Sequence, residues 1–300
     1  MTGLLESTLI QGFALSLLVL GLAISFRFLD FPDLTVDGAF VLGAATGARL
    51  ISAGWPASAA ALCALFTGFV AGCCTGILHT KFQISKLLSG ILMMIILYSV
   101  NFRVMGTSNL PLLQHATLPD FFRELVGGDF GVILFFGLCA FGLKFVVDGL
   151  LKSEWGTVLR TVGDNENLVQ SLGYSKDRMK ILGLGIANAL VGLSGTLVSQ
   201  HQGFADVNMG IGMIVVGVAS LILGEAVVRV MPRVSGFRSL VEQRTASAIM
   251  GAVLYQLIVN VALRLGIAPT DLKMITAFLV IAAVVLGRLR GSAFAGIDRY

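Results

Sequence analysis

Three aspartates, Asp30, Asp33 and Asp37, lie close together in an otherwise strongly apolar part of the chain. Pro32 separates the first two, and Gly38 directly follows the third. Carboxylates are costly in lipid and are tolerated where irregular backbone lines protein or water. Proline and glycine both interrupt helices. The run therefore favours a broken or re-entrant membrane segment beside a solute pathway, and an ordinary cytosolic turn is the alternative.

A second polar set lies in the apolar segment Ile181–Gln200, where uncharged side chains can hydrogen-bond a polar solute or water. The sequence contains no G-x-x-x-x-G-K-[ST] loop, no metal-spaced ligand cluster and no hydrolase-like Ser/His/Asp set. We therefore expect solute passage without catalysis, powered by a separate subunit or an ion gradient. The predicted pathway-lining residues are Asp33, Thr35, Asp37, Gly38, Asn188, Ser199 and Gln200.

The longest polar interval is Trp155–Lys180, which lies between two apolar segments and must therefore be in water. Asp164 is expected to cap a short helix there, with Glu166 in its first turn. Gly173 is expected to end that helix in a left-handed conformation. These features predict a structured loop between two membrane spans.

Leu168, Val169 and Leu172 give this short helix an apolar face, which a simple linker would not need. Such a face suits a soluble partner that docks on the loop. A helix that lies on the membrane surface is the alternative, and the residues alone do not separate the two.

The composition is that of a membrane protein. Hydrophobic residues make up 56 % of the chain and charged residues 13 %, whereas a soluble domain is about one quarter charged. The mean hydropathy is +0.90. No basic patch with interleaved aromatic residues indicates nucleic acid. We predict one membrane domain over residues 1–300, with residues 152–180 as a cytosolic loop within it.

Spans of about 20 apolar residues predict an all-α polytopic membrane protein with about nine segments. The predicted segments are Leu4–Phe26, Gly38–Ala53, Ala57–Leu78, Ile84–Met105, Val132–Leu151, Ile181–Gln200, Ile211–Val230, Ala246–Leu265 and Leu272–Leu289. Basic residues concentrate in alternate intervals, which favours a cytosolic C-terminus. Strict alternation then puts the N-terminus outside, although a re-entrant second segment would reverse that side.

Two further patterns concern helix packing. Gly68, Gly72 and Gly76 lie on one helix face and allow a neighbouring helix to approach closely. Packing within one subunit is favoured over a contact between subunits. Glu225 has Arg229 four residues later, which predicts an ion pair on one helix face; a gate role is the alternative.

The polar interval resembles the cytosolic loop of ABC-importer permeases of the branched-chain amino acid and ribose type. The resemblance lies in the order of a Trp-Gly, an arginine five residues after the tryptophan, an Asn-Glu turn, a Leu-Gly and a basic run into an apolar span. In that family the loop carries a coupling helix that docks on the ATPase, which here would be Gly163–Gly173. The implied coupling residues are Arg160, Gly163, Asp164, Glu166, Leu168, Leu172 and Gly173.

The stretch from Asp33 to Val36, followed by Gly38, is also similar to an Asp-Leu-Ser-Val-Gly stretch in ribose-type permeases, with Asp37 inserted here. The resemblance implies a permease in the bacterial cytoplasmic membrane that binds no cofactor itself, with ATP and Mg on a partner ATPase. It also implies an extracytoplasmic substrate-binding lipoprotein, which we expect near Asn109–Gly128, and a homodimer or heterodimer with a homologue.

An amino acid is the leading substrate prediction, and sugars and nucleosides remain open. An ion-gradient-driven secondary transporter is the alternative function, and a membrane-embedded enzyme is a more distant one.

Overall fold

The computed structural model describes residues 2–230, 239–268, 271, 274–278 and 281, and it is almost entirely α-helical. A π-helical turn, Ala23–Phe28, continues the first helix. The helices are α1 (Thr2–Leu22), α2 (Thr35–Ser52), α3 (Ala57–Thr80), α4 (Lys86–Met105), α5 (Leu118–Val126), α6 (Gly128–Lys152), α7 (Glu154–Asp164), α8 (Glu166–Ser171), α9 (Lys176–Gln202), α10 (Met213–Val230) and α11 (Leu240–Arg264), and the strands are β1 (Asn109–Pro111) and β2 (Phe204–Asp206).

Within these described residues, six helices are long and apolar enough to cross a membrane. They comprise α1 with its π-helical turn, α3, α4, α6, α9 and α11, and α10 is a shorter apolar helix. The predicted class of a polytopic all-α membrane protein is therefore confirmed. The count of nine stays a prediction, and the predicted ninth segment, Leu272–Leu289, lies largely outside the described residues.

Helix boundaries follow local sequence signals. The hydroxyls of Ser85 and Ser175 accept backbone N–H groups at the starts of α4 and α9. Gly106 and Gly203 follow the ends of the same helices with φ of +75° and +77°, a left-handed conformation that suits glycine. Polar caps at one end and glycine at the other thus define these two spans.

The two ends of the bundle differ in character. One end, which we call the loop end, carries α7 and α8; the other, the strand end, carries the antiparallel pair β1–β2 and the helix α5. Thr117 and Asp120 form a reciprocal cap at the start of α5. Ion pairs gather at the loop end: Arg27–Glu225, Lys86–Asp30, Lys152–Glu242 and Lys180–Glu166.

Helix α9 lies at the centre and packs against α1, α2 and α3. Small residues make this packing possible. A Cβ added at Gly43 of α2 would overlap the backbone of Gly192, and one added at Gly195 would overlap the carbonyl of Phe40. In lipid no hydrophobic force drives helices together, so they associate through close backbone approach of this kind.

The glycine stripe of α3 faces α9 of the same chain. A Cβ at Gly68 would overlap the carbonyl oxygen of Asn188, and one at Gly72 would overlap that of Leu184. Gly76 approaches the same helix one turn further along, with 2.7 Å between its added Cβ and the Cα of Ile181. In this structure the stripe thus lies within one subunit, between α3 and α9.

We predict that Gly72→Ala lowers stability, because the methyl group meets backbone that cannot rotate away. Overpacking of this kind costs about 1–3 kcal/mol. Gly142→Ala on α6 is the matched control, since nothing lies within 4 Å of its added Cβ. Thermal unfolding of the purified protein in detergent compares the two variants. Equal midpoints would contradict the packing of α3 on α9.

Candidate functional site

The polar interval folds into two helices, α7 and α8, joined at Asn165. The Oδ1 atom of Asn165 accepts hydrogen bonds from the backbone N–H groups of Asn167 and Leu168, at 3.1 and 3.2 Å. The prediction that Asp164 caps the short helix was wrong: Asp164 is the last residue of α7. Asn165 has an extended backbone, with φ of −155°, and this conformation lets its side chain reach the first turn of α8.

The remaining features of the short helix follow the sequence more closely. Glu166 opens its first turn, and Gly173 follows its end with φ of +83°. Its apolar residues do not form a single face, however. Val169 is buried against the bundle, whereas Leu168 and Leu172 are 48 % and 63 % exposed. One apolar residue therefore anchors the helix, and two remain available at its surface.

Glu166 faces the bundle. One carboxylate oxygen lies 2.5 Å from the Nζ atom of Lys180, and the other lies 3.9 Å from that of Lys176. Partial burial acts to raise the pKa of Glu166, but the Lys180 hydrogen bond and the charges of Lys180, Lys86 and Lys176 together hold it below its usual value. Lys180 Nζ also lies 3.3 Å from Nε2 of His79 on α3. Glu166 thus ties the loop to the bases of two helices.

Gly163 provides the second attachment. An added Cβ there would overlap the carbonyl oxygen of Phe28 and lie 3.0 Å from the carbonyl carbon of Leu29, so α7 rests directly on that backbone. Arg160 hydrogen-bonds within α7, where its Nη2 donates to Thr157 Oγ1 at 3.2 Å. The loop therefore contacts the point at which the chain leaves the π-helical turn after α1.

From that point, residues 29–34 form a non-helical stretch that ends at α2 and contains a fully buried carboxylate. Oδ1 of Asp33 accepts the backbone N–H of Thr35 at 2.9 Å, and Oδ2 accepts Nδ2 of Asn188 at 2.6 Å. The Thr35 hydroxyl in turn lies 2.7 Å from that of Thr75. The structure brings together three predicted pathway residues here, all of them fully buried.

Asp37 lies one turn into α2 and holds the start of α10. Its Oδ2 and Oδ1 atoms accept the backbone N–H groups of Gly212 at 3.0 Å and Ile214 at 2.7 Å. An acid at a helix N-terminus is favourable, because it binds unpaired N–H groups and opposes the helix dipole. Met213, which begins α10, thus lies at the depth of Asp37 and not at the strand end.

Asp37 and Gly38 also line a half-open cavity of about 450 Å³ between α2, α4 and the start of α10. Asn101 of α4 is buried beside them and donates from Nδ2 to the Gly38 carbonyl at 3.0 Å. The Oδ1 atom of Asn101 has no hydrogen-bond partner among the described residues. The rest of the lining is mainly apolar, and it includes Val41, Met94, Ile95, Tyr98, Val207 and Ile211.

Ser199 and Gln200, two of the predicted pathway-lining residues, are both buried in the structure. The Ser199 hydroxyl donates back to the carbonyl of Thr196 at 2.9 Å, within α9. Gln200 Oε1 accepts the backbone N–H of Leu118 at 3.1 Å. These side chains are covered because α5 packs over this end of α9, a contact that the apolar pattern does not reveal.

Glu225 has a partner that the sequence did not predict, and the side chain of the predicted partner, Arg229, lies outside the part of the chain that the structure describes. The Oε1 atom of Glu225 lies 2.7 Å from Nε of Arg27, so α10 is held to the π-helical turn after α1. Arg244 donates from Nη1 to the Arg27 carbonyl at 2.9 Å and lies over the Phe28 ring. Sequence reasoning missed this cluster because its partners are far apart in the chain; opposite charges at predicted span ends were the available signal.

Known proteins match this chain over most of its length. The family model described as the permease component of branched-chain amino acid transport systems matches residues 4–285. A protein of Clostridioides difficile named tyrosine transport system permease protein is 41 % identical over 289 residues, covering 96 % of this chain and 92 % of that protein. An uncharacterised protein of Rickettsia prowazekii is 34 % identical over 272 residues, covering 91 % of this chain and 93 % of that protein. No solved structure matches significantly. The chain belongs to the family of branched-chain amino acid transport permeases.

Proposed function

We propose that the chain is the permease subunit of an ABC importer that moves an amino acid across the bacterial cytoplasmic membrane. A separate partner subunit binds ATP and Mg and hydrolyses the ATP. The family match supports the transport role, and the relative named for tyrosine transport supports an amino acid as the substrate. In this account, residues 1–300 form one membrane domain.

The observation that carries the proposal is the anchored loop at α7 and α8. Glu166 and Gly163 hold it against the bundle, while Leu168 and Leu172 stay exposed. Exposed leucines on a rigidly held helix form a surface on which a soluble ATPase can dock and push. A helix that only rested on lipid would not need two separate attachments to three spans.

Motion of the loop has two routes into the membrane domain. In the first, Gly163 bears directly on the Phe28 carbonyl. In the second, Glu166 binds Lys180, which contacts His79, and the His79 ring packs edge-on against Phe31 with centroids 5.2 Å apart. Both routes end in the non-helical stretch that carries Asp33. We take this stretch as the link between ATP hydrolysis and the pathway.

The interrupted second segment is part of the proposal. Lys86 Nζ donates to the Asp30 carbonyl at 2.8 Å, so the stretch starts level with the base of α4. Gly38 packs against Met94 and Leu97, roughly two to three helical turns further along α4. The chain therefore crosses the first part of the membrane in a non-helical conformation and then continues as α2. This path supports a broken segment over a re-entrant one.

Positive-inside placement puts the loop end in the cytosol, and because α1 ends there, the N-terminus lies outside. The cytosolic C-terminus stays a prediction from the basic residues near the span ends. The extracytoplasmic binding lipoprotein docks on the strand end, over β1, β2 and α5. Two of these elements, β1 and α5, lie within the predicted contact interval Asn109–Gly128.

A second permease copy, identical or homologous, covers the exposed face of α4. Ile95 and Tyr98 are 58 % and 54 % exposed there, and both line the cavity that contains Asp37. A cavity containing a carboxylate is costly to open into hydrocarbon, so a protein surface is the favoured neighbour. The pathway then runs between the two copies.

A secondary transporter remains the second candidate, because Asp33 is a buried acid whose described hydrogen-bond partners are all neutral. Such groups carry protons in gradient-driven carriers. Uptake by the chain alone in liposomes, driven by a proton gradient without ATPase or ATP, would establish this alternative and refute the importer proposal.

We predict that Leu168→Asp combined with Leu172→Asp abolishes copurification of the ATPase. Both side chains are exposed, so the substitutions remove the docking surface without opening the core. A loss of about tenfold or more in copurified ATPase is expected, equivalent to about 1.4 kcal/mol. Affinity purification of the permease from its native cells, followed by quantitative mass spectrometry, measures the copurified ATPase.

The matched control is Leu113→Asp, a leucine 85 % exposed at the strand end. It introduces the same chemistry on the opposite side of the membrane and is expected to leave the ATPase bound. Retention of the ATPase by the double variant would refute the docking surface. Loss of the ATPase with Leu113→Asp as well would indicate general misfolding.

We also predict that Asn188→Leu destabilises the protein more than Asn260→Leu. The first removes a donor from the buried Asp33 carboxylate, whereas the second removes a donor from the Thr8 hydroxyl at 2.9 Å. Loss of the Asn188 donor leaves a fully buried carboxyl oxygen unsatisfied, which costs about 1–3 kcal/mol, whereas a single neutral hydrogen bond contributes about 1 kcal/mol. Thermal unfolding in detergent compares them, and an equal loss would show that Asp33 does not depend on Asn188.

A further inference from the structure

We infer that a cavity between α6 and α11 at the loop end is a binding site for a membrane phospholipid, whose phosphate group is held by Lys144 and Lys152. We call it the α6–α11 cavity. The inference uses only the membrane domain and does not depend on the importer proposal. The comparisons with known proteins assign no role to these two lysines.

The α6–α11 cavity has a volume of about 770 Å³ and opens on the outside of the bundle. Its lining includes Phe141 and Phe145 of α6, which are 48 % and 69 % exposed, and Met250 of α11, which is 37 % exposed. Both helices are long and apolar enough to span a membrane, so the medium beside these side chains is lipid. Helix α6 packs on α1, α5, α7 and α11, whereas α4 packs on α2 and α3. The cavity therefore lies away from the face that we assign to a second permease copy.

The polar wall of the cavity is a row of ion pairs. Lys144 and Asp148, four residues apart on α6, form one pair, and Lys152 forms another with Glu242 of α11. The Asp148 carboxylate also accepts the Thr245 hydroxyl. Lys144 is 8 % exposed, and it lies two turns from Lys152, about 12 Å along the helix axis. A buried charged pair thus stands at the depth of the hydrocarbon.

The two lysines carry N–H groups that need acceptors. An ammonium group has three N–H donors, and each lysine has one carboxylate partner among the described residues. The Lys144 ammonium also lies 5.4 Å from the centre of the Phe145 ring. Charged groups are costly in lipid unless they are partnered. Phosphate oxygens form charge-assisted hydrogen bonds with ammonium groups, so a lipid headgroup satisfies these donors without a second protein surface.

The remainder of the cavity favours a lipid over a soluble anion. Ile249 and Met250 form an apolar wall that suits an acyl chain and offers nothing to free phosphate. Nothing lies within 4 Å of a Cβ added at Gly149, so the wall leaves open space beside the lysines. Basic pockets between membrane helices are known to bind lipid headgroups. The phosphate then lies at the lysines, and the acyl chains extend along α6 and α11.

The test is native mass spectrometry of the purified full-length permease, delipidated in detergent and titrated with palmitoyl-oleoyl phosphatidylglycerol. The matched probe is palmitoyl-oleoyl glycerol, which has the same acyl chains and no phosphate. We expect the first phosphatidylglycerol to bind at least about tenfold more tightly than the first diacylglycerol. Soluble glycerol phosphate is expected not to displace the bound phospholipid, because it lacks the chains that the apolar wall contacts.

One variant removes the charges. Lys144→Met combined with Asp148→Leu replaces the ion pair by apolar side chains, and buried ion pairs often tolerate such a replacement. The Thr245 hydroxyl keeps the Val241 carbonyl as an acceptor in this variant. Phosphatidylglycerol binding is expected to weaken by about tenfold or more, while diacylglycerol binding stays unchanged.

A second variant fills the cavity and keeps both lysines. Gly149→Phe places a ring in the open space of the wall, and we expect it to weaken phosphatidylglycerol binding by about tenfold or more. Gly142→Phe is the matched control, because it also places a ring in open space on α6 and does not line the cavity. We expect the control to bind phosphatidylglycerol like the wild type.

Equal binding of phosphatidylglycerol and diacylglycerol to the wild type, or displacement by glycerol phosphate, would overturn the phospholipid site. These two results do not depend on any variant. Unchanged phosphatidylglycerol binding in Gly149→Phe would overturn the location, and so would equal weakening by Gly142→Phe. Thermal unfolding in detergent, with midpoints close to that of the wild type, shows that the variants are folded.

Discussion

The structure depends on how two carboxylates are accommodated inside a membrane domain. Asp33 is buried and bonded by Asn188 and by the backbone of Thr35, and Asp37 is bonded by the first N–H groups of α10. Each buried carboxyl group is accommodated because a helix start or an amide side chain next to it donates hydrogen bonds. That requirement fixes where α2 begins, how deep α10 begins, and which face of α9 lies against Asp33.

The close packing around α9 follows from the same requirement. Asn188 reaches Asp33 only if α9 lies directly against α2 and α3, and glycines on all three helices allow that approach. The loop then connects to this centre, through Gly163 on the Phe28 carbonyl and through Glu166 on Lys180. A movement of α8 is therefore transmitted through few flexible contacts to the non-helical stretch that contains Asp33.

Much of this organisation could be predicted from the sequence. Runs of apolar residues indicated the spans, the glycine stripe of α3 indicated a close helix contact, and the polar interval with Glu166 and Gly173 indicated a structured loop. These signals are local in the chain, so periodicity and helix-end preferences report them directly. The aspartates around Pro32 likewise indicated an interrupted helix, because proline breaks helices and carboxylates disfavour a continuous membrane span.

Other features depend on contacts between distant residues, which a single sequence does not encode visibly. The burial of Ser199 and Gln200 results from α5 packing over them, and the pairing of Glu225 with Arg27 spans most of the chain. Asn165 caps α8 in place of Asp164 because Asn165 is the residue that adopts the extended backbone. Asparagine and aspartate have similar capping preferences, so the sequence does not predict which of the two residues forms the cap. The hydrogen bond from Asn101 of α4 to the Gly38 carbonyl likewise joins residues that are far apart in the chain.

The central claim is that the stretch around Asp33 transmits ATPase motion to the pathway. The most direct measurement is the number of ATP molecules hydrolysed per amino acid imported by the reconstituted complex with its binding protein, in wild type, Asp33→Asn, Asn188→Asp and the exchanged double variant. The account predicts that each single variant keeps ATPase activity but raises the ratio by about tenfold, and that the exchange restores part of the coupling. An unchanged ratio in assembled single variants would contradict it.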